Sequence, residues 1–234
     1  MHRATATGHR SPPRAVGQDG WRRASVHYRP GTHNSDPLEV DFDDHEDWLR
    51  PVFRLLERGS EVLDLGCGCG IPDSQILSNR FRVTGVDISD VQIERARRLV
   101  PKARFLRADM ATVRFPPETF SGIVCLYSLI HVPPEERRPL IARMYRWLYP
   151  GGVVLVTTGD EVPPSSVDDR LGSNAKLYRS HADSATYGRW LSEAGFEVLR
   201  RTSIDTGEPG RALFLAQKPP GAPILRHAPR TSRR

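Results

Sequence analysis

The chain has 234 residues and only three cysteines, which fits one α/β domain and excludes a disulfide framework. It contains no run of about 18 apolar residues and no apolar segment typical of a signal peptide, so we expect neither a membrane-spanning helix nor secretion. We therefore predict a soluble, cytoplasmic protein.

The formal net charge of +6 is carried by the two ends of the chain. Residues 1–35 and 218–234 each carry +5, which leaves −4 for residues 36–217. Both ends are rich in Pro, Gly, Ser and Thr and poor in apolar residues, so we predict disordered tails around one domain at 36–217. Tyr28 could belong to a partial lid over a ligand. Basic tails can also contact nucleic acid, which is the weaker interpretation here.

The predicted elements begin with a helix that ends at Gly59, with Pro51 in its first turn. An apolar strand over residues 61–65 then runs into the sequence GCGCG at 66–70. Three glycines at alternate positions predict a turn in which a ligand lies against bare backbone. A short connection leads into a helix over residues 72–80.

A second apolar strand, residues 82–87, ends in a carboxylate. Its acid lies about twenty residues after the glycines, the spacing at which a mononucleotide-binding βαβ unit offers an acid to ribose hydroxyls. Ser89 and Gln92 predict a capping box at the start of the next helix, which Pro101 terminates.

The third predicted strand, residues 103–108, is followed by Asp109 and Met110. The fourth covers residues 120–127 and leads to a helix that begins at Pro134 or Glu136. A Pro-Gly-Gly turn then precedes a fifth apolar strand over residues 153–158.

Residues 159–182 break the alternation of strands and helices and show no clear periodicity. A segment of this length without secondary structure is uncommon in a compact fold, so we predict a substrate-covering insertion. A helix over residues 182–194 follows, and the last two strands are predicted at 196–201 and 211–217.

The glycine turn fails the dinucleotide pattern GxGxxG, because Ile71 and Asp73 stand where the third glycine would be. It reads D-x-G-x-G-x-G instead. With Asp87 and Asp109 after the next two strands, the chain resembles the class I S-adenosylmethionine (SAM) dependent methyltransferases. The resemblance implies SAM as cofactor. It also implies an α/β fold with a seven-stranded, mostly parallel, doubly wound Rossmann-like sheet whose last strand is antiparallel.

In that family the glycine turn holds the methionine end of SAM and the acid after the second strand holds the ribose. The acid after the third strand and its neighbour recognise adenine. The resemblance therefore implies a cofactor site composed of Asp64, Gly66, Cys67, Gly68, Gly70, Asp87, Ile88, Asp109, Met110 and Cys125.

Methyl transfer requires an aligned nucleophile, and a base where that nucleophile carries a proton. His131, just past the fourth strand, is the first candidate base, and His181 is the second. Tyr28, Tyr127 and Tyr178 are candidate substrate-binding residues. We predict transfer of a methyl group to an oxygen or nitrogen of a small molecule, and the choice between the two histidines stays open.

Two alternatives also stay open. The fold could bind SAM and catalyse another reaction, such as a cyclisation, or it could methylate RNA or protein with the help of its basic tails. The signatures of enzymes that methylate nucleic-acid amino groups or pyrimidine carbons do not occur after the fourth strand. Only Asp160 and Glu161 resemble the metal-binding acids of the catechol type, so no metal is expected.

Overall fold

A computed structural model gives the fold, and the description covers residues 42–160, 166–168, 177–179, 182–204 and 210–221. The first half contains α1 (Phe42–Leu55), β1 (Glu61–Leu65), α2 (Asp73–Leu77), β2 (Arg82–Asp87), α3 (Asp90–Leu99), β3 (Arg104–Arg107) and β4 (Phe120–Cys125). The second half contains a 3₁₀ turn (Leu129–His131), α4 (Pro134–Trp147), β5 (Leu148–Gly159), β6 (Ser166–Asp168), β7 (Leu177–Arg179), α5 (Ser184–Ala194), β8 (Glu197–Ile204) and β9 (Arg211–Gln217).

Seven strands form one sheet in the order β3-β2-β1-β4-β5-β9-β8. The five strands from β3 to β5 are parallel, whereas β9 is antiparallel to both of its neighbours, β5 and β8. The predicted fold class is confirmed. The chain moves outward from β1 through β2 to β3 and then returns to place β4 on the other side of β1. Ligands of open α/β sheets bind outside the carboxyl ends of the strands at such a reversal.

The central strands β1, β4 and β5 are largely buried because both faces of the sheet are covered there, whereas the edge strands β3 and β8 are largely exposed. Leu63 and Leu65 of β1 face a core that includes the buried residues of α4 and α5. Val62 of β1 faces the opposite way, into a core shared with Leu49 and Val52 of α1. The sheet is therefore doubly wound, and its ligand edge lies between the two helical layers. Within the described part of the chain, no helix is long and apolar enough to cross a membrane.

Three local predictions were wrong. Pro51 lies inside α1 rather than in its first turn, because the helix already begins at Phe42. Helix α2 has five residues and ends at Leu77, where the chain continues in turns instead of helix up to Arg80. The described part of 159–182 includes two short antiparallel strands, β6 and β7, although the sequence there has no strand pattern.

The predicted capping box at the start of α3 forms only in part. Ser89 accepts a hydrogen bond from the Gln92 backbone N–H at 3.3 Å, which is half of the predicted capping box. The other half does not form, because the Ser89 N–H donates to Asp87 Oδ1 at 2.8 Å. Helix α5 is capped by Asp183, which accepts from the Thr186 N–H at 2.7 Å.

Candidate active site

The turn at residues 66–70 lies at the carboxyl end of β1, and two of its glycines are required for different reasons. Gly66 has φ +79°, and a Cβ atom there would lie 2.2 Å from the Ser128 Oγ, so only glycine fits. Gly68 has φ +54°, and a Cβ atom would meet nothing within 4 Å. The turn is therefore pressed against the segment after β4 on one side and leaves open space beside Gly68.

Asp87 lies at the end of β2 and is tied to this turn. Its Oδ2 accepts a hydrogen bond from the Gly68 N–H at 3.0 Å, and its Oδ1 accepts from the Ser89 N–H at 2.8 Å. Removal from water raises the pKa of the carboxyl group above its ordinary value. Each carboxylate oxygen can accept a second hydrogen bond, so Asp87 can still receive ribose hydroxyls. Ile88 follows it and is half-buried.

Asp109 and Met110 lie just after β3, next to β2 in the sheet. Asp109 Oδ1 accepts a hydrogen bond from the Ala111 N–H at 2.8 Å, which forms a turn at the strand end. The methyl group of Met110 lies 3.0 Å from the position that a Cβ atom would take on Gly66. The residues expected at the two ends of SAM are thus brought to one edge of the sheet.

Asp64 is buried in β1 directly below the turn. The Ser74 hydroxyl donates to its Oδ2 at 2.6 Å. Burial is the main cause that raises the pKa of Asp64, to about 8, and the negative charges of Asp73 and Asp87 add to it. Asp64 is therefore largely protonated at neutral pH.

The cysteines near the site are buried, uncharged thiols. Cys67 lies in the glycine turn, and burial raises its pKa well above the ordinary value. Cys125 ends β4 with no exposed surface, packs in the core with Leu65 and Val86, and also has a raised pKa because of burial. A thiol must ionise to act as a nucleophile or metal ligand, so the structure gives these residues a packing role.

A cluster of rings lies at the same edge, and we call it the aromatic cluster: His45, Trp48 and Tyr127, with the guanidinium of Arg211 stacked on Tyr127. The ring of Trp48 lies 4.7 Å from His45 and 5.7 Å from Tyr127, measured between centroids. The Arg211 Cζ lies 4.6 Å from the Tyr127 centroid. His45 Nδ1 is 2.6 Å from Asp73 Oδ1.

Tyr127 itself has a strained backbone. Its φ is +52°, a conformation that a bulky residue rarely adopts. The Tyr127 N–H donates to the Thr157 Oγ1 of β5 at 2.5 Å, which helps to hold this conformation. Strained residues cluster at functional sites, and here the strain accompanies a ring that contacts both α1 and β9.

His131 is the last residue of the 3₁₀ turn after β4 and is half-buried. The carbonyls on either side of it are held by the buried Arg137, whose Nε donates to Val132 O at 2.8 Å and whose Nη2 lies 3.5 Å from Ile130 O. Strand β7 approaches this turn to within 8 Å between Cα atoms. His131 is therefore presented on a fixed backbone.

Tyr178 belongs to β7, but only its backbone is described. The predicted residues Tyr28 and His181 lie outside the described part of the chain.

A family model for a methyltransferase domain matches residues 62–152. The phosphatidylethanolamine N-methyltransferase of Cereibacter sphaeroides is 30% identical over 167 residues, which cover 68% of this chain and 80% of that protein. The chain belongs to the class I SAM-dependent methyltransferases. The ubiquinone biosynthesis O-methyltransferase of Pseudomonas aeruginosa is 27% identical over 199 residues, covering 79% of this methyltransferase and 80% of that protein.

Solved structures share the fold. The magnesium protoporphyrin IX methyltransferase of Synechocystis PCC 6803, determined with bound SAM, superposes with a TM-score of 0.67 at 19% identity over 91% of this chain and 100% of that chain. This methyltransferase spans only 30 to 45% of the length of other curated relatives that it matches at 30 to 34% identity.

The cofactor of the family is SAM, and the observed edge fits it. The space beside Gly68 is open, and Asp87 retains lone pairs for hydroxyl donors. The three strand ends would therefore hold the nucleoside and methionine parts side by side.

Sequence reasoning missed three residues of the aromatic cluster and its partner Asp73. Trp48 was assigned to the apolar face of a helix, and His45 stands among acids that suggest a solvated helix start. Arg211 begins the last strand. Only the antiparallel direction of β9, which places its first residue at the carboxyl edge of β5, signals that Arg211 belongs to the site.

Proposed function

We propose that this methyltransferase transfers the methyl group of SAM to an oxygen or nitrogen atom of a small molecule. The observation that supports this most is the meeting of three adjacent strand ends, which carry the glycine turn, Asp87 and Asp109. The related proteins named above are an N-methyltransferase and an O-methyltransferase. Bound SAM supplies an electrophilic methyl group whose leaving group is already activated, so the chain mainly has to orient and desolvate the acceptor.

In this proposal different residues at the sheet edge bind different parts of the cofactor. Asp87, next to Ile88, accepts hydrogen bonds from the ribose hydroxyls, while Asp109 and Met110 recognise adenine. The backbone of the glycine turn holds the methionine part above Asp64. Cys67, in the turn, and Cys125, at the end of β4, are proposed to line the cofactor site as uncharged thiols.

The residues proposed to bind the methyl acceptor lie on the other half of the sheet's carboxyl edge. Tyr127 forms one wall of the acceptor pocket, and Tyr28 and Tyr178 are proposed to complete it. Residues 159–182 would cover the acceptor, which agrees with the approach of β7 to the turn that carries His131. His131 is a candidate for taking the acceptor's proton, and His181 is the alternative. A cytoplasmic location and basic tails outside the 36–217 domain are part of the same proposal.

The test uses the full chain in two steps. Titration calorimetry should detect binding of SAM and of S-adenosylhomocysteine. A screen of phenols, carboxylates, amines and a total RNA sample should then release S-adenosylhomocysteine with one small-molecule class only. Product formation without S-adenosylhomocysteine would instead indicate a non-methylating reaction, and release with RNA alone would contradict the small-molecule assignment.

If His131 takes this proton, His131→Gln should lower turnover by about 10² to 10⁴, the usual contribution of a general base, with little change in SAM affinity. Undiminished turnover would remove His131 from the mechanism.

A further inference from the structure

A buried His–Asp pair lies at the carboxyl edge, next to the cofactor site described above. His45 of α1 is only 4% exposed, and its Nδ1 lies 2.6 Å from Asp73 Oδ1. Asp73 follows the glycine turn by three residues and begins α2. The pair therefore ties the first helix of the domain to the segment that carries the methionine end of the site.

The hydrogen bond fixes the position of the proton on the imidazole. An ionised carboxylate can only accept a hydrogen bond, so Nδ1 of His45 must donate to Asp73. In the neutral ring the other nitrogen, Nε2, is then an unprotonated acceptor. A carboxylate that orients a histidine in this way is the arrangement by which general bases are prepared in other enzymes.

The surroundings of the pair favour a catalytic use over simple packing. The imidazole lies 4.7 Å from the ring of Trp48, tilted by 44°, and 6.1 Å from the ring of Tyr127, which its strained backbone holds in the cluster. The short hydrogen bond to the half-buried Asp73 carboxylate also fixes the orientation of the imidazole within this cluster. Apolar rings around the pair exclude water, which strengthens its electrostatic interactions.

We propose that His45 takes the proton that the methyl acceptor loses, and that Asp73 is the positioning residue of His45. This rests on the proposed function. The new bond forms between the acceptor's oxygen or nitrogen and the methyl carbon, while the carbon–sulfur bond breaks and its electron pair stays on sulfur. The acceptor's proton goes to Nε2 of His45. The resulting imidazolium is stabilised by Asp73 through Nδ1–H and later releases the proton to water.

The first test needs no acceptor. Long-range ¹H–¹⁵N correlation spectra of the full chain should show the neutral His45 ring with its proton on Nδ1 and an unprotonated Nε2, and His45→Gln assigns the signals by their loss. Asp73→Asn should abolish this tautomer preference. A ring with its proton on Nε2 in the wild-type protein would overturn the proposal.

The second test separates a catalytic from a cofactor-binding or structural role. With an acceptor from the screen, His45→Gln should lower kcat about 10²-fold or more, and Asp73→Asn by a similar factor, while SAM affinity changes less than about threefold. Asp47→Asn is the matched control, because Asp47 lies on the same helix in an exposed ion pair with Arg50. It should behave as wild type.

Each remaining outcome has one meaning. A loss of SAM affinity in His45→Gln that matches the loss of kcat/KM would assign His45 to the cofactor site and overturn the proposal. Full turnover in His45→Gln together with a large loss in His131→Gln would leave His131 as the base and also overturn it. If the wild-type protein releases no S-adenosylhomocysteine with any acceptor, the proposed function itself fails, whatever the tautomer of His45.

Discussion

The protonation of Asp64 predicts how the stability of the protein depends on pH. The folded protein keeps a proton on Asp64 until the pH approaches about 8, whereas the unfolded chain loses it near the ordinary value of 3.8. Between these values the folded state binds one proton more than the unfolded state. The free energy of unfolding therefore falls as the pH rises towards 8 and levels off above it.

The substitution Asp64→Asn removes this pH-dependent contribution to the free energy of unfolding while keeping the shape of the side chain. The amide oxygen can still accept the hydrogen bond that Ser74 donates. A proton that only the folded state binds changes the free energy of unfolding by about 1.4 kcal/mol per pH unit. From pH 6 to pH 8, wild type should therefore lose about 2 kcal/mol relative to Asp64→Asn.

Urea unfolding of the full chain without SAM at pH 6, 7 and 8 measures this difference. Asp47→Asn serves as the control, since the exposed Asp47 should leave the pH dependence of wild type unchanged. Parallel stability curves for wild type and Asp64→Asn would refute the reasoning, because they would mean that Asp64 is ionised in the folded protein.

Three further predictions concern other parts of the site. Asp87→Ala should weaken SAM binding by about 1 to 3 kcal/mol through lost charge-assisted hydrogen bonds, and unchanged calorimetric affinity would contradict the assignment. Gly66→Ala should lower the free energy of unfolding by at least about 1 to 3 kcal/mol because of its φ of +79° and the Ser128 contact. Thermal melts measure this loss. In them the control Gly188→Ala, inside α5 with only an ordinary van der Waals contact, should be neutral or stabilising. Arg137→Leu should cost about 1 to 3 kcal/mol by leaving buried carbonyls beside His131 unpaired, and a melt identical to wild type would show that water replaces the guanidinium.

The sheet and the cofactor edge could be predicted because their signals are local. Strands β1 and β4 each contain an apolar run, Asp87 is the last residue of β2 and Asp109 follows β3 by two residues, so these strand ends can be read directly from the chain. The positive φ angles of the glycine turn are likewise a consequence of residue type. The cofactor assignments of Asp87 and Asp109 remain predictions, although the structure brings both to one edge.

The remaining features depend on contacts that no local pattern carries. The hydrogen bond between His45 and Asp73 joins residues 28 positions apart, and the raised pKa of Asp64 arises from burial and from two other acids. No alternation of polar and apolar residues in the sequence predicts the pairing of β6 with β7. Pro51 is tolerated inside α1 because the packing of that helix against the sheet outweighs the lost hydrogen bond.

The reversed direction of β9 has a consequence for how the enzyme family can diversify. In a wholly parallel sheet, the first residue of the strand would lie at the far rim, remote from any chemistry. Here Arg211 begins β9 beside the end of β5 and rests on Tyr127. If Tyr127 forms the acceptor wall proposed above, substitutions at the start of this terminal hairpin would retune acceptor choice while the proposed nucleoside-binding half of the edge stays intact.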